Sequence, residues 1–431
     1  MVLRLLHGNI HYGWFIFIAI CCNQFACYQT AYNSLFVLPL AHALGISRSA
    51  VLLFMTFYAI TYFIASPLWG SLLQNKNVSI RAVMTTGVSC VLIACILFAT
   101  ATTPWMLYAA GVFNALGMTG TKILATTTFS SNWFAANVRG KLMGIAVCFQ
   151  GIAGIVMPII IQLIINNFGY RAGYLFLFMM AAVFMLPWAL FVYVRTPKEM
   201  GLRPLGLKTD NEALLVDADL DRGVSFKTAR RSVPFFVIII IVLLLSTGGG
   251  YESSFSGFAD EFLAGTRWMA DAAMIAAIML SVDCVFDFLG NITIGVVIDR
   301  FGTKPALYIW LGLYSCFFIT MLFFGGSPLG LYVAAAFYGF NGSIMRNAIP
   351  LLIRDIFGPK DHSKIYGAIQ SVKGLTNGIT TTMIAVFYDI GGSYYGTLVI
   401  GLGLLALCFV FVAIALRYLN RFHWRENASQ Q

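Results

Sequence analysis

No aspartate or glutamate occurs before Glu199 in this 431-residue chain. Charged residues of either sign make up only 10% of it, against about 25% in a soluble protein. With 59% hydrophobic residues and a mean hydropathy of +0.83, the chain reads as a protein dissolved in lipid. Other scarcities exclude whole classes of function. The five histidines, His7, His11, His42, His362 and His423, are scattered and lie outside the apolar runs, so no metal or catalytic His cluster is expected. The nine cysteines sit inside apolar runs with no C-x-x-C pair, which supports neither a disulfide framework nor a zinc site. No G-x-x-x-x-G-K-[ST] loop is present, which disfavours ATP-driven pumping. No cofactor is expected, and neither is an enzyme. The net charge of +10 resides in short loops between apolar runs and does not indicate a nucleic-acid partner.

What the chain does have is apolar runs. About 20 apolar residues cross a bilayer as a helix, and twelve such runs can be marked, at 12–39, 49–73, 82–102, 105–132, 141–166, 172–194, 234–259, 269–298, 305–325, 329–356, 365–388 and 393–417. The first lacks a cleavage site and is expected to be retained. The single long polar stretch, 195–232, divides the runs six and six. The fold expected is therefore an all-α membrane protein, twelve transmembrane helices in two pseudo-symmetric six-helix bundles. Its parts would be a bundle at 1–194, a cytoplasmic linker at 195–232, a bundle at 233–420 and a tail at 421–431. With the N-terminus inside, 21 Lys and Arg residues fall on the cytoplasmic side and three (Arg48, Arg171, Arg267) outside. Both termini are thus expected in the cytoplasm, of a protein in the cytoplasmic membrane.

The halves repeat at an offset of 223 to 225 residues. Tyr28-Gln29 matches Tyr251-Glu252, Gly70 matches Gly295, Lys122 matches Arg346, and Gln150-Gly151 matches Lys373-Gly374. Asp283, Asp287, Asn291, Gly295 and Asp299 recur every fourth residue, one drifting stripe on a helix.

The lower part of that stripe, Gly295, Asp299, Arg300, Gly302 and Lys304, resembles G-x-x-x-D-R-x-G-x-[KR], the signature of the major facilitator superfamily. Trp133-Phe134 with Arg139-Gly140 and Gly144 resembles that family's W-F-x(4)-R-G-x(3)-G, and Gly392-Ser393-Tyr394 its G-S-Y turn before helix 12. Pro197 to Pro204 resembles the P-x-E-x-G-L-x-P of the oxalate/formate antiporter and monocarboxylate transporter branch. Tyr366-Gly367 with Lys373-Gly374 is similar to that branch's helix 11 pattern. Two departures stand out. Gln74-Asn75 replaces Asp-Arg in the first-half signature, although Gly70 is kept. Asn291 stands where the monocarboxylate transporters have an Arg four residues after the Asp matched by Asp287.

Six ionisable residues lie within spans: Lys122, Glu252, Asp283, Asp287, Arg346 and Lys373. Each would cost roughly 2.5–3.5 kcal/mol at mid-bilayer, so they must face one another or water. The resemblance implies a central cavity lined by helices 1, 4, 7 and 10, hence Lys122, Glu252 and Arg346 turned inward. The substrate-binding set read this way is Lys122, Arg346, Lys373, Tyr28, Gln29 and Tyr251. Glu252, Asp283 and Asp287 are coupling or charge-pair residues; Asp287 with Arg346 and Glu252 with Lys373 are the candidate structural pairs. Gly70, Gly295, Asp299, Arg300, Lys304 and Arg139 are the gating set. The function implied is secondary transport of a small organic anion by a monomer in the lipid bilayer, with protons or a counter-anion as the coupling partner. Efflux of a larger amphipathic compound and a transporter-like sensor are the alternatives.

Overall fold

A computed structural model describes residues 11–27, 32–75, 77–206, 223–358 and 360–418. Among these residues the chain is all-helical apart from one isolated bridge, between Phe134 and Leu205. The helices group into twelve spans. In the first half α1 is Gly13–Ala26 with Asn33–Leu44, α2 is Arg48–Gln74 and α3 is Ile80–Ala99. Then α4 runs as Pro104–Met118, a π-helical turn Thr119–Leu124 and Ala125–Trp133; α5 is Ala136–Phe168; α6 is Tyr170–Phe184 with Leu186–Phe191. In the second half α7 is Val233–Ser246, Gly248–Glu252 and Phe255–Phe262; α8 is Ala272–Phe301; α9 is Thr303–Phe324. The second π turn, Ile344–Ala348, interrupts α10 between Pro328–Ser343 and Ile349–Phe357; α11 is His362–Gly391 and α12 is Tyr395–Leu416.

Eight spans are each long and apolar enough to cross a membrane unaided: α2, α3, α5, α6, α7, α8, α9 and α12. The other four, α1, α4, α10 and α11, are broken or polar, and α10 and α11 carry Arg346 and Lys373. Large apolar side chains such as Phe168, Phe323 and Leu329 remain exposed, as hydrocarbon contact requires of helices that satisfy their own backbone. The break in α7 falls where three glycines, Gly248 to Gly250, meet Asn341, Asn377 and Thr380 at distances that leave no room for a Cβ. At the α8–α9 junction a single residue turns the chain: Gly302, at φ 85°, a conformation natural to glycine.

By contacts the chain divides into two units, residues 1–46 with 53–209, and 47–52 with 210–431. The end of unit 1 shows that part of the stretch expected as linker is fixed. Arg195 is 9% exposed and donates from Nε to the Leu73 carbonyl (3.1 Å) and from Nη2 to that of Val78 (2.9 Å). It thereby holds the α2–α3 turn, where the Asp-Arg of the signature is missing. Trp133 Nε1 donates to the Val194 carbonyl at 2.8 Å, and Leu205 exchanges backbone hydrogen bonds with Trp133 and Ala135. In unit 2 Glu261 receives the Ser393 hydroxyl (2.6 Å) and the Tyr394 N–H (2.8 Å), so a carboxylate satisfies the entry to α12. Asp361 binds the Phe226 N–H at 2.8 Å and Lys364 Nζ at 2.9 Å, which ties residues 223–229 to the start of α11. Both interactions hold its carboxyl below the usual range.

Candidate transport site

Lys122 occupies the π turn of α4 in unit 1. A π turn shifts hydrogen bonds from i→i−4 to i→i−5, is rare, and is frequently found at functional sites. Here its backbone is supported from the side. Asn23 on α1 donates to the Thr121 carbonyl at 2.5 Å, and the hydroxyls of Thr119 and Thr121 reach the Ala115 and Gly117 carbonyls at 2.6 and 2.8 Å. Gly117 and Gly87 let α3 and α4 pass in contact, and Gly120 lies against the Trp69 ring. Lys122 is half-buried.

Unit 2 repeats the device. Arg346 occupies the π turn of α10, at the position equivalent to Lys122. The Ser343 hydroxyl, just before that turn, donates to the Phe340 carbonyl (2.8 Å) and accepts from Trp310 Nε1 (2.9 Å). Arg346 forms an ion pair with Asp287 on α8. The side chains are 42% and 25% exposed, so the pair is accessible to water rather than sealed in the core. Asn291 donates to Asp287 Oδ1 at 3.2 Å and receives Asn347 Nδ2 at 2.7 Å, giving a four-residue chain across α8 and α10. Gly339 allows this, since its Cα lies against the α8 backbone at Asp283 and Asp287. Gly342 allows it too, because a Cβ there would meet the Asp287 carboxylate and lie 2.7 Å from Arg346 Nη2. Lys373 on α11 acts electrostatically on Asp287.

Asp283, one turn above Asp287, is 6% exposed and makes no hydrogen bond or ion pair among the described residues. Glu252, Asp287 and Arg346 are the charged groups within its electrostatic reach. Glu252 ends the short middle segment of α7 and is half-buried.

The remaining expected site residues distribute as follows. Tyr28 and Gln29 lie outside the described residues. Tyr251 is not a free cavity donor: it is 2% exposed, packs against Phe317 and Phe318, and donates to the Thr397 carbonyl at 2.7 Å. Aromatic packing with α9 and α12 turns it into the interior of its own unit. Gly70, Gly295 and Arg139 are partly exposed; Asp299, Arg300 and Lys304 are exposed and make no hydrogen bond or ion pair among the described residues. The turn they occupy is fixed instead by Thr303, whose hydroxyl donates to Asp355 at 2.7 Å. Sequence reasoning missed Asn341, Tyr314, Asn23 and Glu261; for the asparagines, a polar residue inside an apolar span was the available signal.

A sequence profile of the Major Facilitator Superfamily matches residues 16–285 and again 266–431. No curated protein sequence matches significantly. Among solved structures the chain is similar to the nucleoside transporter NupG, at 14% identity and TM-score 0.71 over 95% of this chain and 99% of that one. It is similar to a bacterial homologue of the human lysosomal transporter Spinster, at 14% identity and TM-score 0.68 over 96% and 99%. A D-xylose–proton symporter follows, at 15% identity and TM-score 0.67 over 93% and 97%. At these identities the structures speak for the fold, and the profile, spanning nearly the whole chain, speaks for the family. The chain belongs to the Major Facilitator Superfamily, a multi-pass membrane transporter working by alternating access and not an enzyme.

Proposed function

We propose that this transporter carries a small organic anion bearing a carboxylate, as a proton symporter or an anion exchanger of the oxalate/formate and monocarboxylate kind. It acts as a monomer in the cytoplasmic membrane, both termini inside. One observation carries the reading: the two cations at equivalent positions of the repeat, Lys122 and Arg346, each occupy a π turn. A π turn gives up regular helical hydrogen bonding, and both turns here are buttressed by hydroxyl groups on their N-terminal side. Arg346 is already engaged by the carboxylate of Asp287, the chemistry that a substrate carboxylate would offer it. Lys373 and Lys122 are the further cationic ligands in this reading, and Asp299, Arg300 and Lys304 with Gly70, Gly295 and Arg139 form the gate.

The test is a thermal-shift and binding screen of the purified protein against mono-, di- and tricarboxylates. Lys122→Gln and Arg346→Gln each weaken binding of the stabilising acid by about tenfold or more, about 1.4 kcal/mol. Arg346→Lys loses more than Lys122→Arg, because an ammonium cannot replace a planar fork. If no carboxylate stabilises the protein, or both neutral variants bind it as wild type does, the reading fails.

A further inference from the structure

Unit 1 holds a single carboxylate in its whole length, Glu199, against cations spread along it. Three of those cations meet in one place. A cavity of about 740 Å³ has Arg81, Arg195, Lys198 and Glu199 in its lining, together with Ser79 and Ile80. Its walls come from residues just past the ends of α2 and α6 and from the first residues of α3. It therefore lies where three spans leave the membrane together. The last turns of α2 and α6 still present exposed apolar side chains, Leu72 and Phe191, which sets the cavity at the depth of the lipid headgroups.

These cations lack a counter-charge. Arg195, 9% exposed, commits Nε and Nη2 to the carbonyls of Leu73 and Val78, while its Nη1 makes no hydrogen bond among the described residues. Arg81 donates from Nε to the Tyr193 carbonyl at 3.3 Å, and the Lys198 ammonium makes no hydrogen bond among the described residues. None of the three forms an ion pair there. Glu199 does not supply one: its Oε1 receives the Thr196 hydroxyl at 3.1 Å. Carbonyl dipoles orient a guanidinium without neutralising it, and a nearly buried cation with no anion is costly. The cavity also holds the start of α3, where Ser79 at the N-cap provides no side-chain hydrogen bond. That end of the helix presents unsatisfied N–H groups and a partial positive charge. Two guanidinium groups, an ammonium and a bare helix N-terminus fit a ligand with several negative oxygens in a tight cluster. A phosphate group is such a ligand, with an oxygen for each kind of donor.

We propose that this cavity binds a phosphate group, carried by an anionic lipid headgroup or by a free phosphate ester, and held by Arg81, Arg195, Lys198 and the first turn of α3. None of these residues belongs to the candidate transport site, so the cavity is a second site, for a ligand that is not the cargo. Bound there, the phosphate ties the α2–α3 turn to the segment that follows α6. It supplies the negative charge that unit 1 almost wholly lacks.

The test needs no transported substrate, so its failure leaves the organic-anion reading standing. Purified full-length protein in a neutral detergent is titrated at fixed pH and ionic strength, with thermal unfolding as the readout. The probes are phosphatidylglycerol and phosphatidylcholine with the same acyl chains, in mixed micelles, and glycerophosphate in solution. A saturable rise in Tm with phosphatidylglycerol beyond that with phosphatidylcholine, and none with glycerophosphate, identifies the lipid. A saturable rise with glycerophosphate identifies the free phosphate group. Arg81→Gln with Lys198→Gln moves the midpoint of whichever response is seen about tenfold or more to higher concentration. Lys141→Gln, at an exposed cation of the same unit outside the cavity, leaves the midpoint in place. Lys198→Gln alone removes no hydrogen bond, so it folds even where the double variant does not, and it moves the midpoint severalfold. The proposal is overturned by wild type that answers neither glycerophosphate nor phosphatidylglycerol over phosphatidylcholine. It is equally overturned by folded cavity variants that keep the wild-type midpoint, or by Lys141→Gln weakening the response as much as they do.

Discussion

The ion pair between Arg346 and Asp287 makes a sharp test of how the unit 2 site is built. Neutralising one member removes the ion-pair partner of the other. In a sealed interior, breaking a pair costs about 3–5 kcal/mol. Here Arg346 is 42% exposed and Asp287 25%, so water screens the orphan and the expected cost is lower, about 1–3 kcal/mol. Arg346→Gln leaves Asp287 with Asn291 and Lys373 only. Asp287→Asn removes the Asp287 charge from the pair with Arg346. The double variant removes both charges, with Asn isosteric with Asp and Gln shorter than Arg, so it recovers most of the stability lost by either single variant. The assay is a double-mutant cycle on thermal unfolding of detergent-solubilised protein, with ligand binding measured in parallel. The coupling expected is at least about 1 kcal/mol, favourable. Binding does not recover in the double variant, because the cation is still gone. A double variant no more stable than the singles would refute the reasoning, since the two charges would then not be compensating each other.

Three other outcomes follow from the geometry. Gly342→Ala places a methyl against the Asp287 carboxylate and Arg346 Nη2, whose flexible ends can shift, so expression holds while ligand affinity drops severalfold in equilibrium binding. Arg195→Gln frees the Leu73 and Val78 carbonyls and lowers stability by about 1–3 kcal/mol, read as an earlier unfolding midpoint, with ligand affinity unchanged. For Asp361, the folded carboxyl titrates below its ordinary 3.8, so its tie to Phe226 and Lys364 is at full strength above that value and weakens as pH falls through the lowered one. Limited proteolysis near residue 223 is therefore flat from pH 8 to about 5 in wild type, and Asp361→Ala is cut faster across that whole range.

The twelve spans are legible in the sequence because apolar runs of membrane length are hard to mistake, and α2, α3, α8, α9 and α12 begin and end within a few residues of the runs that suggest them. The intramembrane charges are equally plain, and Asp287 with Arg346 is one of the two candidate pairs named from the sequence. The interruptions are not legible. The run 105–132 turns polar at Thr119-Gly120-Thr121-Lys122, but nothing in those residues specifies π geometry, and the neighbours that hold the turn, Asn23 and Trp69, are distant in sequence. Tyr251 misleads for a related reason: its position in the repeat suggests a cavity, while the Phe317–Phe318 surface claims its ring. Arg195 reads in sequence as one more loop cation, yet the nearby carbonyls of Leu73 and Val78 bury it. The two motifs around Trp133 and Pro197 are separate in the sequence, and only the fold joins them, through Phe134 and Leu205.

The paired π turns also carry information about descent. A π turn in an otherwise regular helix holds one residue more than the α ladder needs, a surplus that a one-residue insertion would create. Thr119–Leu124 and Ile344–Ala348 lie at matching places in the two halves, each around a cation, Lys122 in one and Arg346 in the other. Two unrelated insertions would have had to strike the same turn of the same helix in each half. A single insertion in a six-span ancestor, copied when that ancestor was duplicated and fused, accounts for both at once. On that account the bulge is older than the twelve-span protein, and the lysine and arginine are later variations on a cation the ancestral half already held there.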